Sequence, residues 1–425
     1  MKFGEKLKMI WHDKGLRGRL FFVLGALFIS RLLASIPIPG IDSSKLSAFF
    51  SGSGSEFLGF LNIFSGGGLS NLSIVMLGVG PYISASIIMQ LLTMMFPKMK
   101  AMYQEEGEAG RAKFSQYSRI LSIPLAFIQG FAFLGLLAKA GVITQLTLGE
   151  TITNILIVVA GSTLLMWVGE LMTEFGIGNG VSLLIFAGIV SRLPQAISQM
   201  SLSFDVSQIP VYLLFLVLGL VVIYSVVFIS EAERPVPVTY AKRVRGSQTS
   251  GGVSTYLPLR VSQAGVIPII FGMSILLIPQ MLFQFLAGVL SAGTLKDIID
   301  FLNNLFSNNW FYGIAYFVLV FFFTYFYTAI TFDPENISKN LQQSGAFIPG
   351  VRPGQSTSEY LGKVLSRITL FGALFLGGIA VLPIIVKAAT GISAIAIGGT
   401  ALLIVVSVVI DLLKKIDAQI TMREY

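Results

Sequence analysis

Side chains that could do chemistry are few, and none is placed to do it inside a membrane. The single histidine, His12, lies in the basic stretch Met1 to Arg19, where a solvated imidazole is expected rather than a ligand. Glu170 and Glu174 stand four apart and share one helix face, the spacing of a carboxylate pair. They fall at the cytosolic end of an apolar stretch, where they read as solvated helix-end charges. Arg31 lies near the external end of the first apolar stretch and is expected to snorkel or meet a carbonyl. The chain has no cysteine, which excludes disulfides and thiolate metal sites. It also lacks a G-x-x-x-x-G-K-S/T loop, so it is not expected to hydrolyse nucleotide itself. The chemistry to expect is passage, and no cofactor or metal is implied.

The elements that would shape such a passage are written in the hydropathy. Of 425 residues, 54% are hydrophobic and 12% charged, far from the roughly 25% charged fraction of soluble domains. Ten apolar stretches of spanning length are read at 20–36, 73–96, 119–137, 152–172, 181–200, 210–230, 262–287, 311–331, 368–388 and 394–413. Their length points to helices, since a barrel strand needs only about 10 residues of alternating polarity. The N-terminus does not read as a cleavable signal, because the apolar run after Arg19 continues through Ile36 without a small-residue cleavage site. With the N-terminus inside, 23 of the 29 Lys and Arg fall in cytosolic segments, five in external ones, and Arg31 within the first span. That asymmetry sets the orientation, with both termini cytosolic. Asp and Glu divide 15 to 6 the same way, so the cytosolic face carries both signs and can meet partners. The net charge of +8 favours contact with anionic lipids.

An even count divides near the segment from Leu193 to Pro210 into residues 1–200, with spans 1–5, and 201–425, with spans 6–10. Five spans per half is odd, so the halves would cross in opposite senses, as an inverted repeat. One piece breaks the pattern: Phe57 to Phe64 is too short to span, and Gly66, Gly67 and Gly68 follow it. It reads as a half-helix that dips in and stops, tolerated at membrane depth only within protein or along an aqueous cavity. Two cytosolic loops, about 231–261 and 332–366, look structured. Val236, Val238 and Tyr240 alternate outward and Thr255, Leu257 and Leu259 return, the pattern of a β-hairpin with Lys242, Arg243 and Arg245 towards its tip. Asp333 and Pro334 start a short helix that Gly345 ends, and Pro349, Gly350, Pro353 and Gly354 tighten a loop around Arg352. Ser356 and Glu359 offer a capping box for the ninth span.

Five segments carry a resemblance: Asn62 to Leu69 (NIFSGGGL), Gly80 to Ile87 (GPYISASI), Phe175 to Gly180 (FGIGNG), Ala232 to Val238 (AERPVPV) and Phe347 to Gly354 (FIPGVRPG). In this order and on these spans they resemble the SecY family, the channel subunits of bacterial Sec protein translocases. The resemblance implies an all-α polytopic membrane protein of ten transmembrane helices in two pseudo-symmetric inverted halves, with a re-entrant plug at about 57–71. Its plug residues would be Phe57, Phe60, Leu61, Asn62, Ile63, Phe64, Ser65, Gly66, Gly67, Gly68 and Leu69. A constriction ring maps to Val79, Ile83, Val181, Ile185, Ile267, Ile270 and Ile404, with valine at 79 and 181 where the family typically has isoleucine. The spacings of four, four and three within the first three pairs put each pair on one helix face. A lateral gate between the second span and the seventh and eighth would use Ile87, Gln90, Leu91, Ile275 and Ile278.

The implied function is a protein-conducting channel that secretes signal-bearing polypeptides across the bacterial plasma membrane and inserts membrane proteins laterally. Implied partners are SecE-type and SecG-type subunits, the SecA motor ATPase, the ribosome, and signal sequences or unfolded polypeptides. Lys242, Arg243, Arg245 and Arg352 would meet SecA or ribosomal RNA phosphates. The alternative is a secondary transporter of small solutes, against which the aliphatic middles of nearly all spans count. An intramembrane enzyme would need a nucleophile and base on adjacent spans, and neither is evident in the sequence.

Overall fold

The computed structural model describes residues 12–39, 65, 68–69, 71–139, 147–191, 194, 198, 209–240, 243–245, 248–250, 254–263, 265–289, 293–390 and 393–424. In chain order the helices are α1 (Lys14–Ala34), α2 (Gly80–Met95), α3 (Pro97–Gln104), α4 (Gly107–Lys139), α5 (Leu148–Phe175), α6 (Gly180–Val190) and α7 (Ile209–Glu231). Four strands follow, β1 (Glu233–Tyr240), β2 (Arg243–Arg245), β3 (Gln248–Ser250) and β4 (Ser254–Arg260). The remainder comprises α8 (Ile267–Val289), α9 (Thr294–Ser307), α10 (Asn309–Thr331), α11 (Pro334–Gln343), the short β5 (Ala346–Phe347), α12 (Gln355–Thr390) and α13 (Ser393–Glu424). The ten helices α1, α2, α4 to α8, α10, α12 and α13 fall on the ten apolar stretches. Their side chains build one central cluster that reaches from Val23 on α1 to Val408 on α13, while Phe28, Leu220, Phe322 and Phe371 face outward. Apolar residues on both the inside and the outside are what a helix bundle immersed in lipid requires.

Four expected spans change their bounds. The second span does not begin as helix at 73, because residues 74–79 form turns and α2 starts only at Gly80. Gly78 adopts φ 58°, a left-handed turn conformation that glycine takes without strain, and Pro81 occupies the first turn of α2. The helices of the ninth and tenth spans, α12 and α13, extend well beyond their apolar cores, as does α4, by turns of polar sequence. An amphipathic helix, α9, stands between α8 and α10 where the hydropathy showed no span.

The turn segment 71–79 is held on both sides. Ile38 N–H donates to the Leu72 carbonyl at 2.9 Å, and Ile74 N–H to the Ile36 carbonyl at 3.0 Å. On the other side Ser162 Oγ of α5 donates to the Gly78 carbonyl at 2.8 Å. The backbone carbonyl of Ile74 lies so close to Gly161 of α5 that a methyl group there would collide with it. Glycine at 161 therefore sets how deep the segment leading to α2 can seat.

At one end of the bundle β1 pairs antiparallel with β4, with Val236 opposite Leu257 and Val238 opposite Thr255, and β5 adds to the other edge of β1. This sheet lies on α11 and the start of α12 as a platform with a separate small core of Val236, Val238, Leu259, Ala346, Ile348, Leu361 and Ile368. The alternation read from sequence is thus the pleat of the sheet, with Val236 and Val238 buried between exposed neighbours. Asp333 caps α11 by accepting from Glu335 and Asn336 N–H, and Gly345 follows the helix at φ 69°. The expected capping box does not form: α12 starts at Gln355, which puts Ser356 inside the first turn. The start is instead tied down by Thr357 Oγ1, which donates to the Arg352 carbonyl at 2.9 Å. Leu16 of α1 packs with Ile177 and Ile420, so the start of the first helix and the end of the last meet.

Gly161→Ala should lower thermal stability in detergent by about 1 to 3 kcal/mol, because a backbone carbonyl rather than a flexible side chain must yield. Gly219→Ala on α7, with open space around it, should cost nothing measurable in the same melting assay.

Candidate functional site

Three helix ends converge on the platform side of the bundle centre. Ile83 lies on the first turn of α2, Val181 and Ile185 on α6, and Ile267 and Ile270 on the first turn of α8. Together these five line a cavity of about 440 Å³. The start of α6 is fixed by local chemistry: Asn179 Oδ1 accepts from Ser182 N–H at 3.1 Å, and Gly180 N–H donates to Thr173 Oγ1 at 2.9 Å. Gly180 crosses the backbone of Gly169 so tightly that a side chain would strike its carbonyl. The close crossing brings Val181 and Ile185 into the centre.

The cavity wall is polar on the platform side. Tyr82, Ser86, Gln90, Ser115, Arg119, Glu170, Glu174 and Tyr327 line it, whereas the inner end is aliphatic. Arg119 Nε donates to Glu170 Oε1 at 2.7 Å, joining α4 to α5. Glu170 is therefore not the solvated helix-end charge expected: its side chain is only 16% exposed and is paired with Arg119 on the neighbouring helix. Opposite charges at the same depth on antiparallel neighbours were the signal for this pair, and it went unread. Glu174 is exposed, in keeping with the expectation.

A second, smaller space adjoins the turn before α2. Val79, one turn before Ile83, lines a crevice of only about 20 Å³ with Ser30, Arg31, Ala34, Ser65, Val75, Leu165 and Leu184. That is room for about one water molecule. Arg31 is half-buried and is one of the residues that line this crevice. Ile404 of α13 is fully buried in the same central cluster but lines neither space. Val79, Ile83, Ile185 and Ile270 are buried beside it, with Val181 and Ile267 half-buried against them.

Of the residues expected in the plug, Phe57, Phe60, Leu61, Asn62, Ile63, Phe64, Gly66 and Gly67 lie outside the described residues. Ser65, Gly68 and Leu69 form turns, with Ser65 and Leu69 buried and Ser65 Oγ accepting from Leu69 N–H at 3.0 Å. At the expected gate α2 touches α8. Ile87, Leu91 and Ile275 belong to the central cluster, and Ile278 is half-buried. Gln90 reaches the cavity with its Oε1 buried and unbonded among the described residues. Phe271 of α8 packs edge-on against Phe323 and Tyr327 of α10, at 5.8 and 6.3 Å between ring centroids.

Lys242 lies outside the described residues, and Arg243 and Arg245 stand on β2, where they pair with Ser250 and Gln248 of β3. Arg352 is exposed on a tight turn. That turn is pinned by Thr357 and by Ser338 Oγ, which donates to the Gly354 carbonyl at 2.6 Å.

The SecY family model matches residues 73–413. The protein translocase subunit SecY of Synechocystis sp. is 43% identical over 418 residues, covering 97% of this chain and 93% of that protein. Two solved structures are similar across 98% of this chain and 97% of theirs. One is described as a protein conducting channel (TM-score 0.66, 19% identity) and the other as Sec61 in a canine ribosome-channel complex (TM-score 0.63, 18% identity). At that identity the structures speak for the fold alone, while the sequence relative speaks for the activity. A helical bundle with a central cavity lined in part by aliphatic side chains, matched along nearly its whole length by a protein translocase subunit, belongs to the SecY family of protein-translocation channels.

Proposed function

We propose that signal-bearing polypeptides cross through the aliphatic closure between the 440 Å³ vestibule and the 20 Å³ crevice, and that Val79, Ile83, Val181, Ile185, Ile267, Ile270 and Ile404 form its ring. The step in volume at Ile83 carries this reading. Branched aliphatic side chains offer ions and water no hydrogen bonds, so a closed collar resists hydration. The same side chains yield to an extended chain of any sequence without holding it, as a conduit for diverse clients requires. Residues 57–71 act as the plug on the far side, where Ser65 already shares the crevice with Val79.

Lateral opening separates α2 from α8 and α10, at Ile87, Gln90, Leu91, Ile275 and Ile278. An apolar signal helix entering the seam packs against both of the parted faces and so favours the open state, and membrane proteins leave by the same route. Residues 1–200 and 201–425 are the two half-shells. The platform faces the cytosol of a bacterium, with both termini on that side of the plasma membrane, and the contact of Leu16 with Ile420 supports a shared face for the two ends. There Arg352, with Lys242, Arg243 and Arg245, receives the ribosome and the SecA motor, which supplies the energy. The Sec61 relative in a ribosome-channel complex supports the first of these partners. SecE-type and SecG-type subunits cover outward apolar helix faces, and anionic lipids meet the basic flank. The solute-transporter alternative is set aside by the family assignment.

Replacing Ile83 or Ile270 with Asn should hydrate the closure and shift the equilibrium towards open by about 1 to 3 kcal/mol. Export of a preprotein with a defective signal should then rise about tenfold or more; unchanged stringency would contradict the ring. Bridging Cys residues introduced at Ile87 and Ile278 should block transport of intact-signal preprotein, and reversal of the bridge should restore it.

A further inference from the structure

We infer that Gln280 is a positioning residue of the gate helix: it holds the outer section of α8 to α9, so that opening bends α8 at Pro279 and moves only the section carrying Ile267, Ile270, Ile275 and Ile278. Pro279 lies inside α8. It has no N–H to give the Ile275 carbonyl, and its ring disfavours a straight helix, so bending concentrates there. All the ring and gate residues of α8 precede it.

The residue just past the bend is the unusual one. Gln280 is 7% exposed, an amide inside an apolar span. Its Nε2 donates to the Phe306 carbonyl at 3.2 Å, while its Oε1 is buried without a partner among the described residues. Methionine would fill the same volume without leaving an oxygen unpaired. What glutamine adds is the bond to Phe306, whose carbonyl lies in the last turn of α9 and has no partner within the helix. The Phe306 ring strengthens the same junction, 5.7 Å from Phe283 of α8 and 5.4 Å from Phe311 of α10.

The other end of the tether is anchored in its turn. α9 is amphipathic, with Lys296, Asp297 and Asp300 on one side and Leu295, Ile298 and Phe301 exposed on the other. A helix of that pattern between two spans lies in the membrane interface, and exposed Trp310 at the start of α10 sits where interfacial tryptophan is favoured. The outer part of α8 is thereby fastened to an element that the bilayer itself holds.

The inference rests on the gate reading above, and its test separates the two. In proteoliposomes holding the assembled translocase, Gln280→Met should raise transport of a defective-signal preprotein at least about fivefold while leaving intact-signal transport near parental. Because the chain has no cysteine, Phe283→Cys with Phe306→Cys can be joined by a short bis-maleimide. That bridge should leave intact-signal transport unchanged in the parent and return signal discrimination to the Gln280→Met channel. Unchanged discrimination in Gln280→Met would overturn the inference, and so would transport blocked by the 283–306 bridge, since the outer section would then have to move. The second arm decides the matter even if Gln280→Met folds poorly. Failure of the gate reading would appear elsewhere, as transport that survives the Ile87–Ile278 bridge.

Discussion

Closure by contact alone, between branched aliphatic side chains that hydrogen-bond to nothing, is the interaction on which the proposed channel depends. A seal of that kind has no directional bonds to hold it in register, so its quality depends on where the backbones put the side chains. Much of the bundle serves that placement. The turn segment before α2 is bonded to residues 36 and 38 on one side and to Ser162 on the other, and glycine at 161 lets it approach. The α5–α6 crossing at Gly169 and Gly180 does the same for Val181 and Ile185. These contacts are backbone to backbone, where a single added methyl group has nowhere to go.

The polar features lie around the seal rather than in it. Arg119 and Glu170 bind α4 to α5 at the vestibule wall, and Lys414 meets Glu231 at 2.8 Å where α13 passes the end of α7. The strand platform has its own small core, set on α11 and α12 and apart from the central cluster. A partner docking on the platform can therefore press on the turn around Arg352 without first disturbing the collar. The chain itself connects platform and bundle at four places: from α7 into β1, from β4 into α8, from α10 into α11, and along α12.

Legibility of the sequence followed the range of the interaction that decides each feature. Spans were readable because about twenty apolar residues in a row mean a helix in lipid whatever their neighbours do, and the β1–β4 hairpin because alternation is a local property of pleated strands. The start of α2 was misread because hydropathy cannot see a left-handed Gly78 followed by Pro81. α9 was missed because its apolar residues are spread among charges and never make a spanning run. Ser356 failed as a cap because capping depends on where helical backbone begins. The Arg119–Glu170 pair depends on a tertiary neighbour 51 residues away in the chain. The ring assignment comes only from family resemblance, since isoleucine inside a span is chemically indistinguishable from any other core residue.

The most direct test of the central claim is to stall a preprotein in mid-transit with a photoreactive side chain at the stalled position and map what it labels. A route through the aliphatic collar predicts adducts on the peptides containing Ile83, Ile185 and Ile270, and none on those presenting Phe28, Leu220 or Phe371 to lipid. Adducts confined to the outward faces, or to lipid, would contradict it.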